Sequence, residues 1–410
     1  MSQQGPIIVV SSGERPAFAS ALDDAKLFPV IDASWDEAQR AVEQLAPAAV
    51  LVASSQAVEP GLDALAKHIA ARTPYLPLIA VDATGSLPEN AIPFAQSGGN
   101  FDRLIARLRA ALRVRTLHAT VMRRLDAEPA ARPTLAECDP ALDATVLLIG
   151  RGADYPSLSV SLGMRIGVVG ALSMEAAAKH LNTRDIDGIV LGEGFGPRVE
   201  DAFLTVLAED ARFRNLPAVL TTDGLAPSYD LPNLEIIVGE PERVAANALP
   251  LIRQHAFEAH LGRMLRSIDA GGLLDTRTGL LIPAAFDRDF ATAVYQTLSH
   301  GGGLSVARFA FDTSHPRAQL DGARILSRLM RQMDFGAALD DGSVIVAFAD
   351  TDLRTAHMIE RWLSSVMRHT SHGKRDTRAE PVVTLATLLP SDTAKSLLAR
   401  LDEGSQRAAS

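Results

Sequence analysis

Cysteine is almost absent: the 410-residue chain has one, Cys138. A lone thiol cannot close an internal disulfide, and its setting beside Glu137 and Pro140 marks a linker thiol ahead of a nucleophile or metal ligand. Long hydrophobic runs are missing as well. No apolar stretch approaches the roughly 20 residues that cross a bilayer, and Met1-Ser2-Gln3-Gln4-Gly5 has no basic segment ahead of a hydrophobic one. The expectation is a cytoplasmic protein with no membrane partner. There is no basic excess: 40 Lys and Arg stand against 49 Asp and Glu, a net charge of −9. This excludes a general attraction to nucleic acid or anionic lipid, so any anion has to be recognised by local arginines. No motif has metal-ligand spacing, and no metal or cofactor is expected.

What is present is an ordinary globular composition, 47% hydrophobic and 22% charged, in a chain long enough for about two to four domains. Continuous apolar runs at 6–10, 48–52 and 76–81 predict strands buried on both faces. Apolar residues at helical spacing over 35–45 and 61–71 predict helices between them. Such alternation implies a parallel sheet with right-handed crossovers. An arginine-rich amphipathic helix over 101–125 closes this part, and a Pro- and Ala-rich stretch from 127 to 140 predicts a linker.

The alternation then restarts, with strands predicted at 145–149, 165–169, 188–191, 217–220 and 234–238. Two tandem flavodoxin-like units are the economical reading. A helix over 242–268, stopped by Gly271-Gly272, leads away as either a rod or an ordinary closing helix. The last segment has strands at 304–311, 344–349 and 381–388 and helices at 283–299, 320–331, 352–367 and 393–401, an α+β pattern. The expected class is thus α/β, two flavodoxin-like units over 1–126 and 144–255 joined by a linker at 127–143. A connecting helix at 256–272 and an α+β domain over 273–410 follow.

The first two units resemble receiver domains of two-component systems in pattern more than in motif. That resemblance implies an acidic pair after the first strand, a phosphoacceptor Asp ending the third, Thr or Ser after the fourth and Lys after the fifth. In the first unit those places hold Ser11 and Ser12, Ala53, Asp82 and Ser97; in the second they hold Gly150 and Arg151, Gly192, Thr221 or Thr222, and Glu240 before Pro241. Glu193, one place past Gly192, is read as a solvated strand-end charge. Both units are expected to be degenerate, with Ala53 and Gly192 at the acceptor positions, and to serve packing or dimerisation.

In the last domain Asp275-Thr276-Arg277-Thr278-Gly279-Leu280 resembles the opening Asp-x-Leu-Thr-Gly-Leu of the GGDEF family, with Arg277 in place of Leu. The resemblance implies two metal-binding aspartates at the end of the first strand, where Arg308-Phe309-Ala310-Phe311-Asp312 has Ala310 for the first. By position the signature Gly-Gly-Asp-Glu-Phe becomes Asp340-Asp341-Gly342-Ser343-Val344, and the family's late Lys falls at Ala409. Carboxylates at Asp340 and Asp341 would repel a triphosphate, while Gly342 and Ser343 stand where acids belong. Phosphoryl transfer needs metal and positive charge at the developing negative charge, so no enzyme activity is expected. Read from the residues alone, Asp341-Gly342 is a hairpin turn.

Ahead of that turn Arg331-Gln332-Met333-Asp334 stands where the family carries an Arg-x-x-Asp inhibitory site for cyclic di-GMP. A guanidinium forks onto guanine O6 and N7 or onto phosphate, and a carboxylate accepts from guanine N1–H and N2–H. Leu326, Leu329, Met330 and Met333 would form an apolar stripe, with Arg324, Arg328 and Arg331 on another face of a helix running to Arg331. The plain alternative is a solvated basic face with a local Arg331–Asp334 ion pair worth little. Arg361 lies one residue from where the family often supplies a second arginine.

The order of units resembles the PleD-type response regulators. It implies a catalytically inactive member that binds cyclic di-GMP at Arg331, Asp334 and Arg361, forms a homodimer and signals to a protein partner. A ligand-free dimerisation adaptor is the alternative. Residual diguanylate cyclase activity is the reading that the residues argue against.

Overall fold

The computed structural model describes residues 5–26, 28–53, 61–83, 85, 87–96, 101–127, 139–222, 229–312, 314, 316–368 and 381–408. The expectations placed on Ser97, Cys138, Ala409, the first four residues and most of the 127–143 stretch lie outside them. The chain forms two compact units. One comprises residues 1–127, 139–177 and 186–262; the other comprises 128–138, 178–185 and 263–410.

The first unit contains two five-stranded parallel sheets. In the first, β1 (Ile7–Val10), β2 (Val30–Ala33), β3 (Ala49–Ala53), β4 (Leu78–Val81) and β5 (Ala91–Phe94) run in the order β2-β1-β3-β4-β5, the flavodoxin-like order. β1 is Ile-Ile-Val-Val and wholly buried, pairing Ile7 with Val30 on one side and Ala49 on the other. The helices are α1 (Ala17–Asp24), α2 (Trp35–Leu45), α3 (Leu62–Ala70) and α4 (Asp102–Ala127). A capping box starts α2, where the Ser34 hydroxyl meets Glu37 Oε2 at 2.8 Å and Glu37 complements the helix dipole. β2 and β5 carry no long apolar run, since Asp32 and Pro93 interrupt them. Both are edge strands, where a proline is tolerated.

The second sheet has β6 (Thr145–Ile149), β7 (Gly167–Ala171), β8 (Gly188–Leu191), β9 (Ala218–Leu220) and β10 (Leu234–Ile236) in the order β10-β9-β8-β6-β7. This is the same topology read from the other edge. Its helices are α5 (Tyr155–Gly163), α6 (Met174–Thr183), α7 (Pro197–Glu209) and α8 (Pro241–Asp269). The two sheets, expected as separate domains, form one body. Leu108, Ala111 and Leu112 of α4 belong to the same buried cluster as Val244, Ala248, Leu251 and Ile252 of α8. Most of α8 therefore acts as a closing helix.

The second unit is built on an antiparallel sheet of β11 (Leu304–Ala310), β12 (Phe335–Ala338), β13 (Ser343–Ala349) and β14 (Val382–Thr387), ordered β12-β13-β11-β14. Its helices are α9 (Pro283–His300), α10 (Pro316–Leu329), α11 (Leu353–Arg368) and α12 (Ala394–Ala408). Strand alternation divides the core between two faces. Ala307, Phe309, Val344, Val346 and Phe348 pack with α10 and α11, while Val306, Ile345 and Ala347 pack with Phe286, Phe290 and Leu397 from α9 and α12. No helix among the described residues is long and apolar enough to cross a membrane.

Candidate functional site

The helix expected to carry Arg331 stops short of it. α10 ends at Leu329, and Arg331 to Asp334 form a tight turn closed by the Asp334 N–H on the Arg331 carbonyl at 2.9 Å. The chain must reverse here to enter β12, which pairs antiparallel with β13. Met333 consequently leaves the expected apolar stripe and is 57% exposed, although Leu326 is fully buried.

Arg331 and Asp334 do come together. Nε and Nη2 of Arg331 donate to Oδ2 and Oδ1 of Asp334 at 2.8 and 2.7 Å, the bidentate geometry that fixes a guanidinium plane. Nη2 also reaches Thr351 Oγ1 at 2.7 Å and the Ala349 carbonyl at 3.1 Å. The Ala349 N–H in turn donates to Asp334 Oδ1 at 3.2 Å. The pair is asymmetric: the Asp334 side chain is 1% exposed and that of Arg331 is 42% exposed. Hydrogen bonding to Asp334 raises the Arg331 pKa, aided by the charges of Asp334 and Asp350 against a smaller desolvation.

Two shallow cavities flank this cluster. One, of about 540 Å³, is lined by Met330, Met333, Asp334, Phe335 and Ala349 together with Ala293 and Gln296 of α9. The other, of about 420 Å³, is lined by Gln296, Thr297, His300, Gly301, Gly302, Gly303 and Asp350. Sequence reasoning missed this second group. The run of three glycines after a helix was its available signal.

The remaining arginines are placed differently from expectation. Arg324 is buried, with Nε on the Arg277 carbonyl at 2.9 Å. Arg328 pairs with Asp185 at 3.2 Å and bonds to the Leu181 and Asn182 carbonyls of the same compact unit. The open basic face is thus not formed. Arg361 is exposed, eight residues into α11 and about 12 Å along its axis from Leu353; it lines neither cavity.

The turn from Leu339 to Ser343 is held by the Arg308 guanidinium. Gly342, at φ +86°, closes the turn with its N–H on the Leu339 carbonyl at 3.3 Å. Asp341 Oδ1 accepts from the Ser343 N–H at 3.0 Å and from the Ser343 hydroxyl at 2.5 Å. Arg308 pairs with both Asp341 and Asp402 and places Nε 3.1 Å from Ser343 Oγ. Burial raises the Asp341 pKa, but the Ser343 hydrogen bonds and the Arg308 charge outweigh it and leave a net lowering. Ala310 lies opposite Ser343 in the β11–β13 register and supplies no ligand. Asp340 is exposed, just ahead of Asp341. A pair of Mg²⁺ ions does not fit a donor set that already contains a guanidinium, and among the described residues no three His, Cys, Asp or Glu side chains group as metal ligands.

At the ends of the first and third strands of the two parallel sheets stand Ser12, Ala53, Arg151 and Gly192. Ala53 ends β3, and the Ser12 hydroxyl accepts from Trp35 Nε1 at 3.0 Å. Gly192 follows β8 with its N–H on the Ile149 carbonyl at 2.7 Å. Arg151 donates from Nε to the Gly194 carbonyl at 2.9 Å and lies 4.9 Å over the Phe195 ring. The Arg151 and Gly152 N–H groups both donate to the Glu193 carbonyl.

No family model and no curated protein matches the chain. Among solved structures, the GGDEF-domain structures similar to it match about a third of it. The GGDEF domain of DgcB from Caulobacter crescentus, in complex with c-di-GMP, is 16% identical over 33% of this chain and 89% of its own, with a TM-score of 0.29. A sensory box/GGDEF family protein from Caulobacter crescentus CB15 is 23% identical over 33% of this chain and 97% of its own, with a TM-score of 0.29. The GGDEF domain of FimX from Pseudomonas aeruginosa is 16% identical over 33% and 93%, with a TM-score of 0.30. At these identities and TM-scores nothing about function follows.

Proposed function

We propose that this chain is a receptor for cyclic di-GMP that carries a degenerate GGDEF-like domain and passes the signal to a protein partner without catalysing a reaction. The observation that carries the reading is the Arg331 fork. Its Nε and Nη2 are held by Asp334, Thr351 and Ala349, which leaves Nη1 of a half-exposed guanidinium to meet a ligand. A preorganised guanidinium donates from Nη1 to guanine O6 or N7, or to a phosphate, at a smaller entropic cost than a free arginine. Catalysis is absent in this reading because Arg308 stands among the carboxylates where a nucleotidyl cyclase needs metal ions.

The two flavodoxin-like sheets are receiver-like in this account, with Ala53 and Gly192 in place of phosphoacceptors, and serve as an assembly body for a homodimer. Arg361 enters only as a second contact for a stacked pair of ligand molecules.

A ligand-free adaptor is the second reading. What favours it is that Asp334 is already satisfied by Arg331 and Ala349, so the pair has a purely structural role available. Variant binding separates the two. Arg331→Ala should weaken cyclic di-GMP binding by about 1.5–3 kcal/mol, the usual worth of a charge-assisted hydrogen bond, and Asp334→Ala should weaken it through loss of the fork's support. Asp340→Ala should leave it unchanged. Equal affinity for all three variants and wild type would place the ligand elsewhere.

A further inference from the structure

The two parallel sheets of the first unit have four edge strands, β2 and β5 in one, β7 and β10 in the other. β5 and β10 are tied to each other, since Arg107 of α4 donates both to the Pro93 carbonyl and to the Glu235 carboxylate. That leaves β2 and β7 as the outer edges. Unpaired N–H and C=O groups along such an edge are a template for another strand unless something blocks them.

The two outer edges differ at one equivalent position. Each is anchored by an N–H just past the first strand of its sheet: Ser11 on the Ala33 carbonyl at 3.3 Å, Gly150 on the Ala171 carbonyl at 3.1 Å. These bonds make Ala33 equivalent to Ala171, and hence Asp32 to Gly170. Alternate residues of a parallel strand bond to its neighbour, so Asp32 and Gly170 both turn their backbone groups outward. On β2 that residue is an exposed carboxylate paired with Arg15 at 2.9 Å, the kind of charge that keeps other strands away. On β7 it has no side chain.

Nothing else guards β7. From Ile166 to Met174 no residue ionises, and Leu172, just past the strand, is 59% exposed. Among the described residues only β6 pairs with it. Gly167 donates to the Ala144 carbonyl at 3.0 Å, which fixes the alternation and leaves Val168 and Gly170 as the outward residues. Exposed charges bound the stretch, Arg165 at one end and Glu175 at the other.

This pattern is self-complementary. Antiparallel pairing about Val169 sets Val168 opposite Gly170 of a second copy and Gly170 opposite its Val168, so the four outward backbone groups bond reciprocally. The same two-fold axis brings the Arg165 end of each strand to the Glu175 end of the other. A parallel pairing would instead set like charges together.

We infer that β7 is the surface through which the chain self-associates, two copies joining edge to edge about a two-fold axis so that their second sheets become one. This rests on the reading of the two-sheet unit as the assembly body of a homodimer, and it is independent of the ligand.

Sedimentation velocity of the full-length protein, over a concentration series into the high micromolar range, is the test. Wild type should pass from monomer to dimer as concentration rises. Gly170→Asp copies the charge that stands on β2, and its Cβ meets the hydroxyl end of the Tyr155 side chain, which can turn aside. Leu172→Lys needs no such adjustment and sets a second positive charge near Arg165 of the other copy. Each should raise the dimerisation midpoint by about tenfold or more, with the circular dichroism of wild type. Val206→Lys, equally exposed on α7, should dimerise like wild type. Hydrogen exchange should find the Val168 and Gly170 amides protected in the wild-type dimer and open in Leu172→Lys. A wild-type dimer that survives both β7 substitutions would put the interface elsewhere while the homodimer reading stands. Wild type monomeric throughout would remove both.

Discussion

Arg107 and Glu235 form a buried ion pair, Nη2 to Oε1 at 2.8 Å, with side-chain exposures of 0% and 2%. The guanidinium also donates to the carbonyls of Pro93, Pro232 and Leu234, and Glu235 Oε2 accepts from the Ala95 N–H at 3.2 Å. The pair therefore ties edge strand β5 of one sheet to edge strand β10 of the other. Desolvation lowers the Arg107 pKa and raises that of Glu235, partly offset by their mutual attraction.

Breaking this pair from one side should destabilise the first unit. Arg107→Met leaves Glu235 buried without its ion-pair partner and takes the Arg107 donor from the Pro93 and Pro232 carbonyls, an expected cost of about 3–5 kcal/mol. Glu235→Gln keeps an acceptor for Arg107 and should cost less. Chemical denaturation measures both, and an Arg107→Met protein within about 1 kcal/mol of wild type would show that the two sheets cohere without the pair.

His118 makes part of the first unit's stability depend on pH. Its Nδ1 accepts from the Tyr75 N–H at 2.9 Å, so the folded state needs the neutral ring. Burial and then the Arg115 charge lower its pKa below the ordinary 6.5. With the folded pKa depressed, its contribution is full above about pH 6.5 and is lost as pH falls through the folded value. Replacing His118 with Gln should flatten the fall in denaturation midpoint between neutral pH and pH 5 relative to wild type; an unchanged slope would remove His118 as a cause.

Neither phosphoryl chemistry of the resembling families should occur. Full-length protein with acetyl phosphate should gain no stable acid-labile phosphate, since Ala53 and Gly192 offer no carboxylate. With Mg²⁺ and GTP it should form no cyclic di-GMP above a protein-free control, because Arg308 neutralises Asp341 and Asp402. Turnover abolished by Asp341→Ala would show that the turn still binds metal.

Much of the architecture was legible because buried parallel strands read as unbroken apolar runs. β6 and β8 fall at the predicted residues, and α2 begins and ends where its apolar spacing places it. β2 and β5 escaped because edge strands tolerate Asp32 and Pro93. Nothing in the arginine-rich helix over 101–125 singled out Arg107. Its burial depends on acceptors more than 120 residues away, which no local periodicity reports.

At the site, the meeting of Arg331 and Asp334 was legible from their spacing, but not the turn that replaces the last helical residues. Arg324 and Arg328 looked like a free basic face because their carbonyl and carboxylate partners are distant in sequence.

Calorimetric titration of wild-type full-length protein with cyclic di-GMP tests the central claim most directly. Saturable binding should be seen, and it should fall at least tenfold in Arg331→Ala, the equivalent of about 1.4 kcal/mol or more. No heat of binding at high micromolar ligand, from a protein shown to be folded, would contradict the receptor reading and leave the adaptor in its place.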